Sequence, residues 1–212
     1  DIPVRVHLNV TDQPGFPLTF FPTSDAFAVV GNIAGNDAFE IVVPGRFGSW
    51  DSPSALHAFD AAGNALPGWP FLNDEVEPGV VEQSFRTPLI VDLDGNGQDE
   101  VVVMDYLIRN VASEGAAIGT VISQTLYVVE GSGQVRWQVT EDFDNTGMPA
   151  VGDLDGDQDL DIIAGTETNL MRFEADGTPL IGWQVETLND IHVTLPIIAD
   201  LDGNPGNGNE MV

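Results

Sequence analysis

The sequence has no cysteine and no lysine, and only six basic residues, all arginine, stand against 34 acidic ones. Without cysteine the chain can form no disulfide, thiolate metal site or cysteine nucleophile. The net charge of −28 argues against nucleic acid and anionic membrane surfaces as partners, and favours cations, basic partners or a salty environment. No apolar run approaches the roughly 18 residues of a membrane span, and no segment shows a long helical period.

The length and the composition are those of a folded protein. With 212 residues, 42% of them apolar, the chain is long enough for one or two domains with a real core. The sequence shows no signal-peptide pattern and no methionine at position 1, and we expect it to be a processed piece or a part of a longer protein.

An acid-rich loop motif recurs along the chain. The sequence DLDGDQDLD at 153–161 places five aspartates in nine residues, and similar sequences lie at 92–100 and 200–210. A faded copy lies at 32–40, so the copies start 60, 61 and 47 residues apart. A repeat of this length usually dictates the fold.

The residues around each loop predict strands. Apolar runs follow the loops, and further on come three hairpin patterns with a glycine turn, at 56–71, 126–139 and 170–185. Each unit therefore has the pattern of four short antiparallel strands, which is typical of β-propeller blades. A stack of separate sandwiches is the alternative, but units this short could hardly bury cores of their own. We thus predict an all-β fold, a β-propeller of four-stranded antiparallel blades.

One tryptophan recurs in each hairpin pattern, as Trp69, Trp137 and Trp183. Because a periodic aromatic residue usually belongs to the core, we interpret these side chains as packing between blades. Stacking on carbohydrate is the alternative.

The acidic loops have the spacing of a cation site. In 153–161 the acids at positions 1, 3, 5 and 9 can curl around one point, position 7 can offer its backbone carbonyl, and the glycine at position 4 allows a tight turn. Such an all-oxygen, charged ligand set favours Ca²⁺ over Mg²⁺. An EF-hand is excluded, because position 12 of its loop would be Val103 or Ala164 instead of glutamate. The reading of the aspartates as ordinary turn residues stays open.

These loops predict two or three structural calcium ions. The first loop, 32–40, has lost the acids at positions 1 and 3, and we expect no metal there. The fourth loop carries an inserted pair, Pro205 and Gly206, so its geometry and its metal binding are left open. The predicted ligands are Asp92, Asp94, Asn96, Gln98, Glu100, Asp153, Asp155, Asp157, Asp159, Asp161, Asp200, Asp202, Asn204 and Glu210.

Three stretches carry a family resemblance. They are two loops with their flanks, AVGDLDGDQDLDIIAG (150–165) and LIVDLDGNGQDEVVV (89–103), and the hairpin sequence ALPGWPF (65–71). They resemble the calcium-binding FG-GAP/VCBS repeats of integrin α-subunit propellers and of many secreted bacterial proteins. The resemblance implies a propeller with structural Ca²⁺ in the loops that join the first two strands of a blade. It also implies that partners bind on the opposite face.

On this resemblance the whole chain, 1–212, is one propeller segment. Residues 1–20 would be the last two strands of a blade, and residues 193–212 the first two strands of another. These halves could pair into a fourth blade, but we expect a slice of a larger ring of about seven blades. The complete blades are predicted at 25–71, 87–139 and 148–185.

Two long segments, 71–86 and 104–125, are predicted loops on the face opposite the metal, where Arg86, Tyr106 and Arg109 are candidate recognition residues. We expect an extracellular, calcium-stabilised binding module that serves adhesion or protein or carbohydrate recognition. Extracellular calcium sites of this kind work at ~10⁻⁴–10⁻³ M Ca²⁺, which favours secretion over the cytosol.

Two other functions stay open. One is an enzyme, a propeller polysaccharide lyase or hydrolase, which would need an acid and a base. The sequence identifies no partner for its candidate acids and bases, so we assign no catalytic residue. The other is a structural spacer in a surface protein. The acid–base candidates are His7, His57, His192, Tyr106 and Tyr127.

Overall fold

Within the residues that the structure describes, the chain is all-β, with sixteen strands in antiparallel sheets and no helix. Nothing helical among these residues is long and apolar enough to cross a membrane. The predicted partial blade at 1–20, together with His7, His192 and Trp183, lies outside the described residues. The computed structural model describes residues 21–22, 26–46, 54–73, 80–113, 116–141, 148–165, 169–180, 185–186, 197–204 and 208–211.

The described strands form four sheets, numbered I to IV along the chain. Sheet I contains β1 (Phe21–Pro22), β2 (Val29–Gly31), β3 (Glu40–Arg46), β4 (Ser54–Phe59) and β5 (Phe71–Leu72). Sheet II contains β6 (Val80–Phe85), β7 (Leu89–Val91), β8 (Glu100–Ser113), β9 (Ala116–Val129) and β10 (Val135–Glu141). Sheet III contains β11 (Ala150–Gly152), β12 (Asp161–Gly165), β13 (Asn169–Glu174) and β14 (Val185–Glu186), and sheet IV contains β15 (Ile198–Ala199) and β16 (Glu210–Met211).

Sheets I, II and III repeat one strand order, in which strands that follow each other along the chain pair antiparallel. The short strand before each acidic loop pairs with the strand after it, as Ile90 does with Val101. In sheets I and II a further short strand, β1 or β6, pairs with the same long strand and extends this edge. The all-β, antiparallel part of the prediction is therefore confirmed.

The prediction of a long loop at 104–125 is wrong. Strands β8 and β9 run through this segment and pair along their length, from Val101 with Val129 to Ser113 with Ala116. The segment 71–86, also predicted as a loop, contributes β5 and β6. The reason is that β-branched residues are frequent in both segments and favour strands, and that pairing satisfies the backbone hydrogen-bonding groups.

The sheets stack face to face, and sheet II is buried on both sides. Because successive side chains of a strand point to opposite faces, Val101 and Val103 pack against sheet I, whereas Val102 and Met104 pack against sheet III. This double burial explains the unbroken apolar run at 101–104 in β8. The first core also holds Val42, Leu56, Phe85 and Tyr127, and the second also holds Leu126, Val128, Ile162 and Phe173.

Two glycines allow the first strands of neighbouring sheets to approach closely. A Cβ atom on Gly31 would overlap Cγ2 of Ile90 in sheet II, and one on Gly152 would overlap Cγ2 of Ile198 in sheet IV. Each glycine is the last residue before an acidic loop. A larger side chain at either position would push the sheets apart where those loops begin.

The tryptophans join neighbouring sheets. Nε1–H of Trp69 donates a 2.9 Å hydrogen bond to the carbonyl of Gly131, in the turn between β9 and β10. Nε1–H of Trp137 donates a 2.9 Å hydrogen bond to the carbonyl of Ala175, in the turn after β13. Gly131 and Ala175 occupy the same place in their turns. The interpretation of Trp69 and Trp137 as packing between units is confirmed.

The stacking of the sheets does not by itself make them a closed propeller ring. The described sheets follow one another in a row, and they do not form a closed ring. Sheet II begins at Val80, before the predicted blade start at 87. The propeller arrangement and the blade boundaries therefore stay predictions.

Candidate metal centre

The acidic loops share one backbone shape. Position 4 is a glycine with positive φ in every copy, from 66° at Gly35 to 81° at Gly156. Position 6 also has positive φ in the first three copies, with 60° at Asp37, 86° at Gly97 and 76° at Gln158. The predicted tight turn at position 4 is confirmed. The positive φ at position 6 was not predicted, because the three copies have no residue type in common there.

The first acid of each loop holds the turn. Oδ1 of Asp92 accepts a 3.0 Å hydrogen bond from the N–H of Asn96, and Oδ1 of Asp153 accepts a 2.7 Å hydrogen bond from the N–H of Gly156. These bonds are the usual turn-forming role of aspartate. A carboxylate oxygen has two lone pairs, so an aspartate that forms the turn can also bind a cation.

The last acid of loops 92–100 and 153–161 is buried and points back into the loop. Glu100 is 0% and Asp161 is 1% exposed. Oε2 of Glu100 accepts a 2.9 Å hydrogen bond from the N–H of Leu93, and Oδ2 of Asp161 accepts one of 2.8 Å from Leu154. Oε1 of Glu100 has no hydrogen-bond partner among the described residues. A buried carboxylate oxygen in this state is costly unless a cation lies near it.

Three carboxylates converge in each of two loops. One oxygen from each member of a trio lies within 4.8 Å of the other two oxygens. A calcium ion with oxygen ligands at about 2.3–2.6 Å can lie between oxygens at such separations. The side chains of these two clusters therefore fit a hard divalent cation. The trios are Asp92, Asp94 and Glu100, and Asp153, Asp155 and Asp161.

An arginine reaches each cluster, and in sheet II it is Arg136. The register of β9 with β10 shifts at this residue, and such a bulge re-aims a side chain. Nη2 of Arg136 lies 2.9 Å from Oδ2 of Asp94, and Nη1 lies 3.4 Å from Oε1 of Glu100. Nε lies 3.6 Å from Oε1 of Glu130. The Arg136 side chain remains 26% exposed.

In sheet III the arginine is Arg172, which comes from a different place in the unit. Arg172 lies on β13 opposite Ile163, so it is the diagonal neighbour of Asp161 across the strand pair. Nε lies 2.7 Å from Oδ1 of Asp161, and Nη2 donates to Oδ2 at 2.8 Å. The same Nη2 lies 2.6 Å from Oδ2 of Asp155. Only 8% of the Arg172 side chain is exposed.

Neither arginine was predicted from the sequence to belong to the site. Their positions in the repeat differ, since Arg172 precedes the turn of its hairpin and Arg136 follows the turn of the other. The only available signal was their rarity, since six arginines are all the bases that the chain has. That signal gives no partner, because the bulge and the register decide what each guanidinium contacts.

The two clusters differ in electrostatics. Burial raises the pKa of the Glu100 carboxyl, and the charge of Asp94 raises it further. In the other loop, the hydrogen bond from Arg172 lowers the pKa of Asp155. Burial alone would lower the pKa of Arg172, but its bonds to Asp161 and Asp155 outweigh burial and raise that pKa. Negative charge is therefore poorly compensated at Glu100, whereas Arg172 compensates Asp155.

The faded first loop binds the side of the second loop. The N–H of Asn32 donates a 2.7 Å hydrogen bond to Oδ2 of Asp99. Nε2 of Gln98 donates a 2.7 Å hydrogen bond to the carbonyl of Ile33. Loop 32–40 therefore joins sheets I and II through hydrogen bonds that involve no metal ion. The side chain of Gln98 serves this contact, and the predicted use of its carbonyl as a ligand stays a prediction.

Position 5 also serves the turn. Oδ1 of Asn96 accepts a 2.7 Å hydrogen bond from the N–H of Gln98, and Oδ1 of Asp157 accepts one of 2.9 Å from Asp159. These side chains lie outside the two converging trios. The predicted ligand roles of Asn96, Asp157 and Asp159 stay predictions.

The fourth loop is described in part. Oδ1 of Asp200 accepts a 2.6 Å hydrogen bond from the N–H of Gly203, and Oδ1 of Asp202 accepts one of 2.8 Å from Asn204. The insertion at 205–207 and the side chain of Glu210 lie outside the described residues. Metal binding by this loop stays a prediction.

Polar side chains are buried where sheet I ends and β8 and β9 continue beyond it, a region that we name the polar end. Nδ2 of Asn73 donates a hydrogen bond to Oδ2 of Asp105 and so joins the two sheets. The amide of Gln124 and the hydroxyl of Ser54 have no hydrogen-bond partner among the described residues. Ser54, Asn73, Ser84, Asp105 and Gln124 are each at most 5% exposed.

Two candidate recognition residues meet at the polar end. Cζ of Arg86 lies 4.3 Å from the centroid of the Tyr106 ring, which is a cation–π contact. Tyr106 is 6% exposed, and Arg86 is half-buried. The side chain of Arg109 lies outside the described residues.

Two candidate acid–base residues are packing residues. The ring of His57 stacks on that of Phe59, with centroids 6.1 Å apart. Tyr127 is 4% exposed, and its ring meets Phe71 and Phe85 edge-on. These contacts place both side chains in the packing of sheets I and II.

Comparison with known proteins finds a likeness in fold. No family model and no curated protein matches the chain. Among solved structures, the chain is similar to the exotype rhamnogalacturonan lyase YesX, with a TM-score of 0.53, and to Bacillus licheniformis rhamnogalacturonan lyase PL11, with a TM-score of 0.56. Sequence identity is 17% to each. The matches cover 87% and 94% of this chain but 37% and 43% of those lyases, so the chain spans less than half of either.

Proposed function

We propose that the chain is a calcium-stabilised, all-β repeat module of an extracellular protein that acts on polysaccharide, of the rhamnogalacturonan lyase kind. The observation that carries the proposal is the similarity in fold to two such lyases over 87% and 94% of this chain. The sequence alone ranks the enzyme hypothesis second, and this similarity ranks it before the adhesion hypothesis. The chain would be one section of a propeller completed by other residues of that protein.

Calcium has a structural role in this proposal. Asp92, Asp94 and Glu100 would hold one ion, which adds positive charge beside Oε1 of Glu100. This oxygen has no hydrogen bond among the described residues, and Arg136 approaches it only to 3.4 Å. The loops that carry the acids also join neighbouring sheets. Metal binding would therefore be coupled to folding, at the ~10⁻⁴–10⁻³ M Ca²⁺ typical of extracellular sites.

Substrate contact is assigned to the polar end. A net charge of −28 repels an acidic polysaccharide, so binding needs a local positive charge. Among the arginines whose side chains are described, Arg136 and Arg172 pair with the acidic loops, and Arg86 lies at the polar end. A guanidinium matches the geometry of a uronate carboxylate. Arg86 over Tyr106 is thus the proposed contact with a uronate residue.

The proposal assigns no catalytic residue to this chain. An eliminating lyase needs a base to take a proton and an acid to protonate the leaving oxygen. His57 and Tyr127 are held in the framework by their aromatic neighbours. The acid and the base would come from other parts of the protein.

The test is incubation of the protein with rhamnogalacturonan, with polygalacturonate and with a neutral galactan, in Ca²⁺ or in EDTA. Affinity electrophoresis measures binding, and ultraviolet absorbance measures unsaturated products. We expect binding to the acidic polysaccharides without turnover, weaker for Arg86→Gln and only partly kept for Arg86→Lys, which retains the charge without the guanidinium fork. Equal migration in all three polysaccharides would overturn the proposal.

A recognition module for adhesion is the second candidate. Its support is the resemblance of residues 89–103 and 150–165 to repeats that occur in integrin propellers. Absence of polysaccharide binding, together with a calcium-dependent fold, would favour this candidate over the lyase-like module.

A further inference from the structure

We propose that Arg172 and a metal ion compete for the same oxygens of loop 153–161, so that loop 92–100 is the tighter metal site. This inference rests on the calcium role proposed above. It reverses the order that acid counting gives, since loop 153–161 has four acids at the predicted charged-ligand positions and loop 92–100 has three acids at those positions.

In loop 153–161, the residues that the guanidinium contacts overlap with the candidate metal ligands. Arg172 contacts both carboxylate oxygens of Asp161 and Oδ2 of Asp155 at 2.6 to 2.8 Å. Asp155 and Asp161 are two of the three residues that could hold an ion in this loop. A guanidinium and a divalent cation repel each other, so they do not occupy this position together. An ion must displace Arg172 or do without most of these oxygens.

Displacing Arg172 from these oxygens costs free energy. The Arg172 side chain is 8% exposed, and its fork lies against a carboxylate that is 2% exposed. Removing one partner from a buried pair leaves the other charge uncompensated unless a new cation replaces it. Metal binding to loop 153–161 must therefore offset the loss of the buried contacts of Arg172.

The contacts of the arginine differ at loop 92–100. Arg136 is 26% exposed, donates a 2.9 Å hydrogen bond to the 32% exposed Asp94, and approaches the buried Glu100 only to 3.4 Å. Glu100 is fully buried and belongs to the converging trio, and its Oε1 has no hydrogen bond among the described residues, as is also true of Oδ1 of Asp161. Arg136 comes only within 3.4 Å of Oε1 of Glu100, whereas Arg172 lies 2.7 Å from Oδ1 of Asp161, so an ion has more to add at Glu100. Withdrawal of Arg136 toward solvent is also cheaper, since exposed ion pairs contribute little.

The experiment counts ions. Calcium-stripped protein is titrated with CaCl₂ by isothermal calorimetry, as wild type, Arg172→Gln, Arg136→Gln and Arg86→Gln. The last variant removes the same charge at the polar end, where the N–H of Arg86 donates a hydrogen bond to the carbonyl of Met104, about 13 Å along β8 from Glu100. We expect one tighter ion in wild type, abolished by Asp92→Asn. Arg172→Gln should strengthen calcium binding at loop 153–161, the further site, by about tenfold or more. This is the usual range of coupling between two ligands.

The controls separate competition from a general charge effect. Arg86→Gln should leave both affinities within about threefold, because charges that far apart are screened by salt. Asp155→Asn in the wild-type background should leave the tighter ion in place. This variant also keeps the proposal testable if Arg172→Gln folds poorly.

Three outcomes overturn the inference. They are an unchanged or weaker further site in Arg172→Gln, loss of the tighter ion in Asp155→Asn, and equal strengthening in Arg172→Gln and Arg86→Gln. Absence of calcium binding in every variant would overturn the proposed metal role as well. The titration uses no polysaccharide, so failure of the lyase-like function is detected separately.

Discussion

Loops 92–100 and 153–161 have the same length, the same glycine at position 4 and the same converging trio of acids. Their counter-charges differ. In loop 153–161, Arg172 contacts Asp155 and Asp161 at 2.8 Å or less. In loop 92–100, Arg136 stays 3.4 Å from Glu100. The number of acids in a loop therefore does not measure its demand for a metal ion, because neighbouring strands can supply the cation.

The largest expected effect comes from removing each arginine in calcium-free buffer. Arg172→Met should lower the free energy of unfolding by about 3–5 kcal/mol, because Asp161 is left buried without its counter-ion. Arg136→Met should cost about 1 kcal/mol, because that side chain is partly exposed. Urea unfolding in EDTA, followed by circular dichroism, measures both. Equal losses would remove the contrast between the loops.

The next largest effect is the response to calcium. At an ion concentration about 100 times the dissociation constant, binding stabilises the fold by about 2.7 kcal/mol. The resulting rise in melting temperature should vanish in Asp92→Asn/Asp94→Asn and persist in Asp153→Asn/Asp155→Asn. Differential scanning calorimetry with Ca²⁺ and with EDTA measures this rise. The reverse pattern would make loop 153–161 the main site.

The tryptophans should behave alike in the two units. Trp69→Phe and Trp137→Phe each remove a 2.9 Å hydrogen bond to a turn carbonyl of the next sheet. Each loss should lower the free energy of unfolding by about 1–2 kcal/mol. Urea unfolding of the two variants side by side tests whether the difference between the units is confined to the loops. A much larger loss for one tryptophan would show that the difference extends to the packing between sheets.

The smallest effect is a pH dependence of opposite sign in calcium-free protein. The pKa of Glu100 is raised in the fold, so its contribution to stability is full below the ordinary value of 4.5 and is lost as pH rises through the raised value. The pKa of Asp155 is lowered, so its contribution is present above the ordinary value of 3.8 and is lost as pH falls through the lowered value.

The matched variants for this pH test are Glu100→Gln and Asp155→Asn. On acidification from neutrality, wild type should gain stability relative to Glu100→Gln. Below pH 3.8 it should lose stability relative to Asp155→Asn. Urea midpoints across this range measure both differences, and parallel curves for the three proteins would contradict the pKa directions.

Local patterns made part of the fold and of the site predictable. The glycine at position 4 and the aspartate at position 1 form a turn within a few residues, so Gly156 and Asp153 could be placed from sequence. The recurrence of Trp69 and Trp137 likewise indicated packing between units. The long hairpin of β8 and β9 was missed, because its polar residues between short apolar runs were taken for loop.

The sequence by itself determined the antiparallel strands and the acidic turns, because each depends on residues a few positions apart. The recurrence of these short patterns also showed the repeat and indicated that the tryptophans pack between units, although their partners lie 62 and 38 residues away. Only the tertiary structure decided which guanidinium enters which loop and which faces are buried. The register of β12 with β13 places Arg172 diagonal to Asp161, and the β9–β10 bulge turns Arg136 toward Glu100. Register and bulges are set by pairing along whole strands and by packing between sheets, which no short stretch of sequence specifies.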